Sequence, residues 1–299
     1  MSRATFLISM LLIPALVGTA QQAKQPPKTK GKPAGTNLPG MTTMTSFDKD
    51  HTVVGWLEII PFESKLYHAT RTLRVLVPAN YFSPHNAGRS YPVLYMLAGP
   101  ELFDQTGSEH ASEWHMDETV EHLVGGFKIP PMFVVGVDPM GVSGSAGGSD
   151  EERKQSERFL LTEVMPFIAK HYRLAKGSRN DGIGGSMTSA STALSIALAS
   201  PGTFGHLLME SPALAANNAW QAELRQAKML PQKIYIGVGS KEGGDALKVA
   251  QEFESALRKK KMSAARAKLV IDEGGEANEA AWSSRLPEAL LFLYGEGQK

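Results

Sequence analysis

The sequence predicts an α/β protein: one domain with a mostly parallel central sheet covered by helices on both faces. Three observations carry the prediction. The apolar runs YPVLYML (91–97) and MFVVGV (132–137) are continuous, as in strands buried on both faces of a sheet. Between and after them come stretches of helical period, such as Phe159, Leu160, Val164, Phe167 and Ile168 on one stripe. The alternation runs from about residue 45 to the last helix without repeat or linker, which is the pattern of βαβ units.

The elements follow in order. Arg3, an apolar run Phe6–Val17 and the small residues Gly18-Thr19-Ala20 describe a secretory signal peptide over 1–20. The run is shorter than the roughly 20 residues a spanning helix needs and is broken by Pro14. Residues 21–44, rich in Pro and Lys, read as a disordered spacer, and 45–299 as the folded domain. Thr52–Ile60 and Thr72–Val77 are β-branched strands. Trp114–Val124 and Asp150–Tyr172 are helices flanking the strand at 132–137. Strands near 181–185, 206–210, 233–237 and 268–271 then alternate with helices near 190–199, 245–259 and 279–293.

Composition narrows the function classes. The chain has 299 residues and no cysteine, which removes disulfides, thiolate metal sites and a cysteine nucleophile. Five basic residues and no acid fall in residues 1–40, so a net charge of +1 leaves −4 on the remainder. An acidic body argues against a nucleic-acid partner. Export implies a periplasmic or secreted protein, with the Lys-rich spacer available to touch an anionic envelope surface.

The glycine pattern locates the chemistry. Strand, glycines, small polar residue and helix occur together at Gly182-Ile183-Gly184-Gly185-Ser186-Met187-Thr188-Ser189-Ala190. This is where an α/β-hydrolase places its nucleophile elbow. From about residue 50 onward the chain resembles the putative esterase family of α/β-hydrolases, which includes feruloyl and enterobactin-type esterases and, more distantly, mycolyltransferases. The resemblance is carried by Tyr91-Pro92-Val93-Leu94-Tyr95 leading into Gly99, by Phe133–Asp138, and by Phe159-Leu160 through Pro166–Ile168 to Tyr172-Arg173. It continues in Pro201, Phe204-Gly205, Ser211-Pro212, Gly239-Ser240-Lys241-Glu242 and Gly274–Trp282. It implies an α/β-hydrolase fold and a small-molecule ester, glycan or siderophore-like ligand, with no cofactor.

The resemblance also implies a serine, an acid and a histidine in that chain order, and each position can be checked. Serine needs a base to take its proton, and the acid holds the base in its working tautomer. Where the family reads G-G-x-H-N-E-A-A-W this chain reads Gly274-Gly275-Glu276-Ala277-Asn278-Glu279-Ala280-Ala281-Trp282, with Ala277 at the histidine. None of the eight histidines follows the candidate acid Glu242. Two readings of the nucleophile stay open. Gly184-Gly185-Ser186-Met187-Thr188 supplies Ser186, whereas counting without gaps back from Pro201 places Met187 at the tip. Met187 stands fourteen positions before Pro201, the family's usual separation, and Ser186 fifteen. The loop for the oxyanion departs as well: Leu97-Ala98-Gly99-Pro100 stands for L-D-G-Q, and Pro100 has no N–H. Gly99, Pro100 and Thr188 are the expected lining of the ligand cleft.

The expectation is therefore an exported pseudo-esterase that binds a ligand or partner in the old cleft. The alternatives are a working ester hydrolase using Ser186 with an unconventional base such as His110 or His115, and a structural envelope protein whose cleft is filled. His110, Glu113, His115 and Asp117 are ligating residue types, but their spacing is not H-E-x-x-H and no metal is expected. Gly141–Gly148 resembles a phosphate loop only in its glycine content and lacks the Gly-Lys-Ser/Thr ending.

Overall fold

The computed structural model describes residues 38–108, 111–138, 150–214 and 219–295. The described residues fall within one compact unit. The segment read as a signal peptide, most of that read as a spacer, His110 and Gly141–Gly148 lie outside the described residues.

Among those residues a nine-stranded sheet runs in the order β1-β2-β3-β5-β4-β6-β7-β8-β9. β1 (Thr42–Thr45), β2 (Trp56–Ser64) and β3 (Ala69–Leu76) form an antiparallel meander, and β3 joins β5 (Phe133–Val137) antiparallel. From β5 through β4 (Val93–Leu97), β6 (Asp181–Ser186), β7 (His206–Glu210), β8 (Lys233–Gly239) and β9 (Ala267–Asp272) every pairing is parallel. Three residues of β1 fall in the segment read as spacer. The sequence Thr42-Thr43-Met44-Thr45 is a short edge strand without alternation of polar and apolar residues, and it carries little signal. The strand expected over 52–60 begins later, at Trp56, because Thr52 and Val54 are tied instead to Asp104 and Asp117.

Strand period divides the core into two layers. Val93, Tyr95 and Leu97 point to the face covered by α2 (Asp150–Phe159), α3 (Met165–His171), α4 (Met187–Ala199), α5 (Ala219–Gln226) and α6 (Ala246–Lys259). Leu94 and Met96 point to the other, covered by α1 (Met116–Gly125) and α7 (Glu279–Tyr294). The single helix expected over 150–172 is α2 and α3 joined by a π-helical turn, Leu160–Val164, which leads into Pro166. α5 has no counterpart in the sequence prediction; it buries only Trp220 and Leu224.

His206 opens β7, at the end of the sheet opposite the glycine-rich turn. It is buried against the Tyr294 ring at 4.5 Å, and its Nδ1 has no hydrogen-bond partner. Burial, helped by the nearby Lys233 charge, holds the imidazole down to about 4. The unfolded chain therefore binds more protons than the folded one between pH 6.5 and pH 4, so stability falls as pH drops through that window. The loss reaches roughly 3 kcal/mol once both limits are passed. Urea unfolding of wild type and His206→Leu at about pH 7 and about pH 4.5 should show this component in wild type alone; equal losses in both would refute it.

Candidate active site

The parallel strands end at one edge of the sheet, and the sequence-predicted residues lie in the loops that leave it. Ser186 is the last residue of β6 and half-buried, with an extended backbone (φ −119°, ψ 160°). Met187 follows as the first residue of α4 with φ +50° and 43% exposure. A left-handed backbone at a non-glycine residue is uncommon and marks strain. Here it lies at the tip of the strand-to-helix turn. The turn is this tight because Gly185 lets α4 fold back on β6: a Cβ there would meet Ser189 at 2.9 Å and the Ala190 nitrogen at 3.1 Å. No side chain caps α4, and Thr188 lies in its first turn, where amides lack intrahelical partners.

Glu242 follows β8. Its Oε1 accepts from the Gly239 N–H and from Ser211 Oγ, both at 2.6 Å. Ser211, directly after β7, has φ +46° and is buried. Two residues on, the Ala213 N–H donates to the Met187 carbonyl at 3.1 Å, so one short segment touches both Met187 and Glu242. Ala277 lies beyond β9 in a loop stitched to the Glu242 loop. There the Lys241 N–H donates to the Gly275 carbonyl, and Gly274 N–H donates to Ser240 Oγ. Met187, Glu242 and Ala277 thus follow β6, β8 and β9 at one edge of the sheet.

Sequence reasoning missed what holds this edge. Arg285 of α7 is 4% exposed. Its Nε and one terminal nitrogen contact Glu210 Oε2 at 2.8 and 2.7 Å, and the other terminal nitrogen reaches Asp272 Oδ2 at 3.0 Å. Trp282 Nε1 donates to Ser211 Oγ at 2.8 Å. Burial pushes the Glu210 carboxyl up while Arg285 pulls it down. Two short contacts from one guanidinium are those of a carboxylate, and we take the pair as ionised. An arginine on the apolar side of a helix was the one available signal.

The oxyanion loop holds a second surprise. The Gly99 N–H donates to Glu101 Oε1 at 2.8 Å, so the amide the cleft would offer an anion is already taken by the protein's own carboxylate. Pro100, which opens a short 3₁₀ turn, contributes none. None of the seven described histidines hydrogen-bonds to Ser186, Met187 or Glu242. His115 is engaged by Glu113 and Glu118 at 3.2 and 3.3 Å. An open groove of about 510 Å³ lies between α2, α4 and α5, lined by Arg153, Glu157, Ser195 and Glu223 among others, and none of the predicted site residues lines it.

A mostly parallel sheet flanked on both faces, with a strained turn from β6 into α4, defines the α/β-hydrolase class. The chain belongs to the family described as "Putative esterase", whose profile matches residues 64–293. Similar solved structures include a ferulic acid esterase, at 19% identity and TM-score 0.61, covering 80% of this chain and 97% of that one. An IroE-like serine hydrolase from Shewanella oneidensis is 15% identical with TM-score 0.61, covering 80% of each chain. The enterobactin esterase FES from Shigella flexneri is 15% identical with TM-score 0.60, covering 79% of this chain and 59% of that one. No described helix is long and apolar enough to cross a membrane.

Proposed function

We propose that this is an exported member of the esterase family that has lost turnover and binds a small ester-type ligand in the old cleft. The observation that carries the reading is Met187 at φ +50° on the tip of the turn, where a hydrolase needs its nucleophile. A thioether has no proton to lose. Ala277 supplies no base, and Glu242 is left to structural work through Ser211 and Gly239. The Gly99 amide held by Glu101 supports the same reading, since acyl transfer depends heavily on preorganised donors aimed at the developing charge. Ser186, half-buried and off the tip, is the weaker candidate for attack.

The ligand class is taken from the neighbours, one of which was solved with ferulic acid and another with 2,3-dihydroxy-N-benzoyl-serine. The test is to titrate both compounds into the purified protein and to expose it to a fluorophosphonate probe. The expected result is saturable binding of at least one compound, weakened by Met187→Trp, with no label on Ser186. Covalent labelling of Ser186, or no binding of either compound, would sink the proposal.

A further inference from the structure

At the entrance to α1 the imidazole of His115 sits between two carboxylates. Glu113, His115 and Glu118 each place one donor atom within 4.8 Å of the other two. His115 Nδ1 lies 3.2 Å from Glu113 Oε1 and 3.3 Å from Glu118 Oε1. Zinc takes nitrogen and oxygen donors at about 2.0–2.2 Å in tetrahedral array, which sets donor–donor separations of about 3.3–3.6 Å. The two observed separations fall at the lower edge of that range.

A second observation points to a missing ligand. Glu113 is 3% exposed, yet its Oε1 has no hydrogen-bond partner despite the nearby imidazole. Asp117 Oδ1 and Glu118 Oε2 also lack donors, but these two carboxyls lie in hydrogen-bonding contact with each other and a shared proton satisfies them. Glu113 Oε1 is thus the buried carboxylate oxygen of this cluster left without a donor, and that is costly, since buried polar groups are normally satisfied. Among the described residues no lysine or arginine pairs with Glu113 or Glu118. The other Glu113 oxygen accepts from Thr52 Oγ1 at 3.0 Å, the kind of outer contact that fixes a ligating carboxylate.

We propose that Glu113 Oε1, His115 Nδ1 and Glu118 Oε1 bind a divalent transition-metal cation of the zinc class. One imidazole among two carboxylates suits such an ion better than calcium or magnesium, which favour all-oxygen shells. Three protein donors leave a fourth position, on the side of the half-exposed His115, for water or an anionic ligand group. The site stands on the rim segment that also carries Glu101: the intervening Trp114 donates its backbone N–H to the Glu101 carbonyl and packs on Trp282. The sequence expectation of no metal rested on spacing and on reading Trp114–Asp117 as packing and helix entry, and it did not consider Glu118.

The test is calorimetric titration of Zn²⁺ into purified, chelator-treated protein. With no cysteine in the chain, thiolates cannot supply a competing site. One equivalent should bind and raise the unfolding midpoint. His115→Gly, which accepts φ +51° without strain, and Glu118→Gln should each weaken binding by at least about 100-fold, more than loss of an outer-shell partner costs. His122→Ala, further along α1, should leave it unchanged, and Ca²⁺ should not bind in the same range. No zinc uptake, uptake insensitive to both ligand substitutions, or equal loss in His122→Ala would overturn the site.

Discussion

Met187→Ser combined with Ala277→His should turn on ester hydrolysis, while wild type and each single variant stay at buffer background. Members of a triad act as a unit, so losing the serine or the histidine alone costs about as much as losing both, on the order of 10⁶ in turnover. Restoring one is therefore expected to recover almost nothing. Restoring both should not recover the whole factor. The Gly99 amide is occupied by Glu101 and Pro100 has none to give, and a lost oxyanion donor costs about 10²–10³. A gain of roughly 10³–10⁴ over wild type follows, rising further when Glu101→Ala is added. The readout is initial velocity on a short-chain nitrophenyl ester, with Ser186→Ala as control. Activity in wild type that Ser186→Ala abolishes would make Ser186 the nucleophile. A silent double variant that still folds would mean the loops after β6, β8 and β9 no longer converge on one reacting centre.

The second large effect is on stability. Arg285→Met should cost about 3–5 kcal/mol, because it strands Glu210, fully buried, without its counter-charge. Adding Glu210→Leu should recover much of that loss, since replacing both partners by apolar groups of similar volume is often neutral. Urea midpoints at about pH 7 decide the matter. A single-variant loss below about 1 kcal/mol would show that the pair is worth no more than an exposed one. Because Arg285 also reaches Asp272, and Trp282 of the same helix holds Ser211, the single variant should loosen the loops after β7 and β9 together.

What the sequence made legible and what it hid divide along a physical line. The parallel strands were readable because residues buried on both faces must be apolar throughout, as in Val93–Leu97 and Phe133–Val137. The alanine at 277, where the resemblance implies a histidine, was visible in the sequence because it is a matter of residue type alone. The edge strand β1 and the helix α5 were not, since each buries too little to impose a pattern. Contacts between distant residues were invisible for a different reason. Glu101 folding back on Gly99, and Glu210 meeting Arg285 seventy-five positions away, depend on where loops and helices come to rest. The cluster at Glu113 escaped because its third member, Glu118, joins it only through the geometry of the α1 entrance.

The position of Arg285 bears on how the chain is made. Synthesis runs from the amino end, and α7 is the last described element to emerge from the ribosome. Until it does, Glu210 has no counter-charge, Trp282 is absent from Ser211, and the sheet face that receives Leu286 and Leu290 stands open to water. A nascent chain that stops short of α7 thus holds nearly the whole sheet but lacks the element that closes one layer over it. Completion of the core is thereby delayed until translation has passed α7.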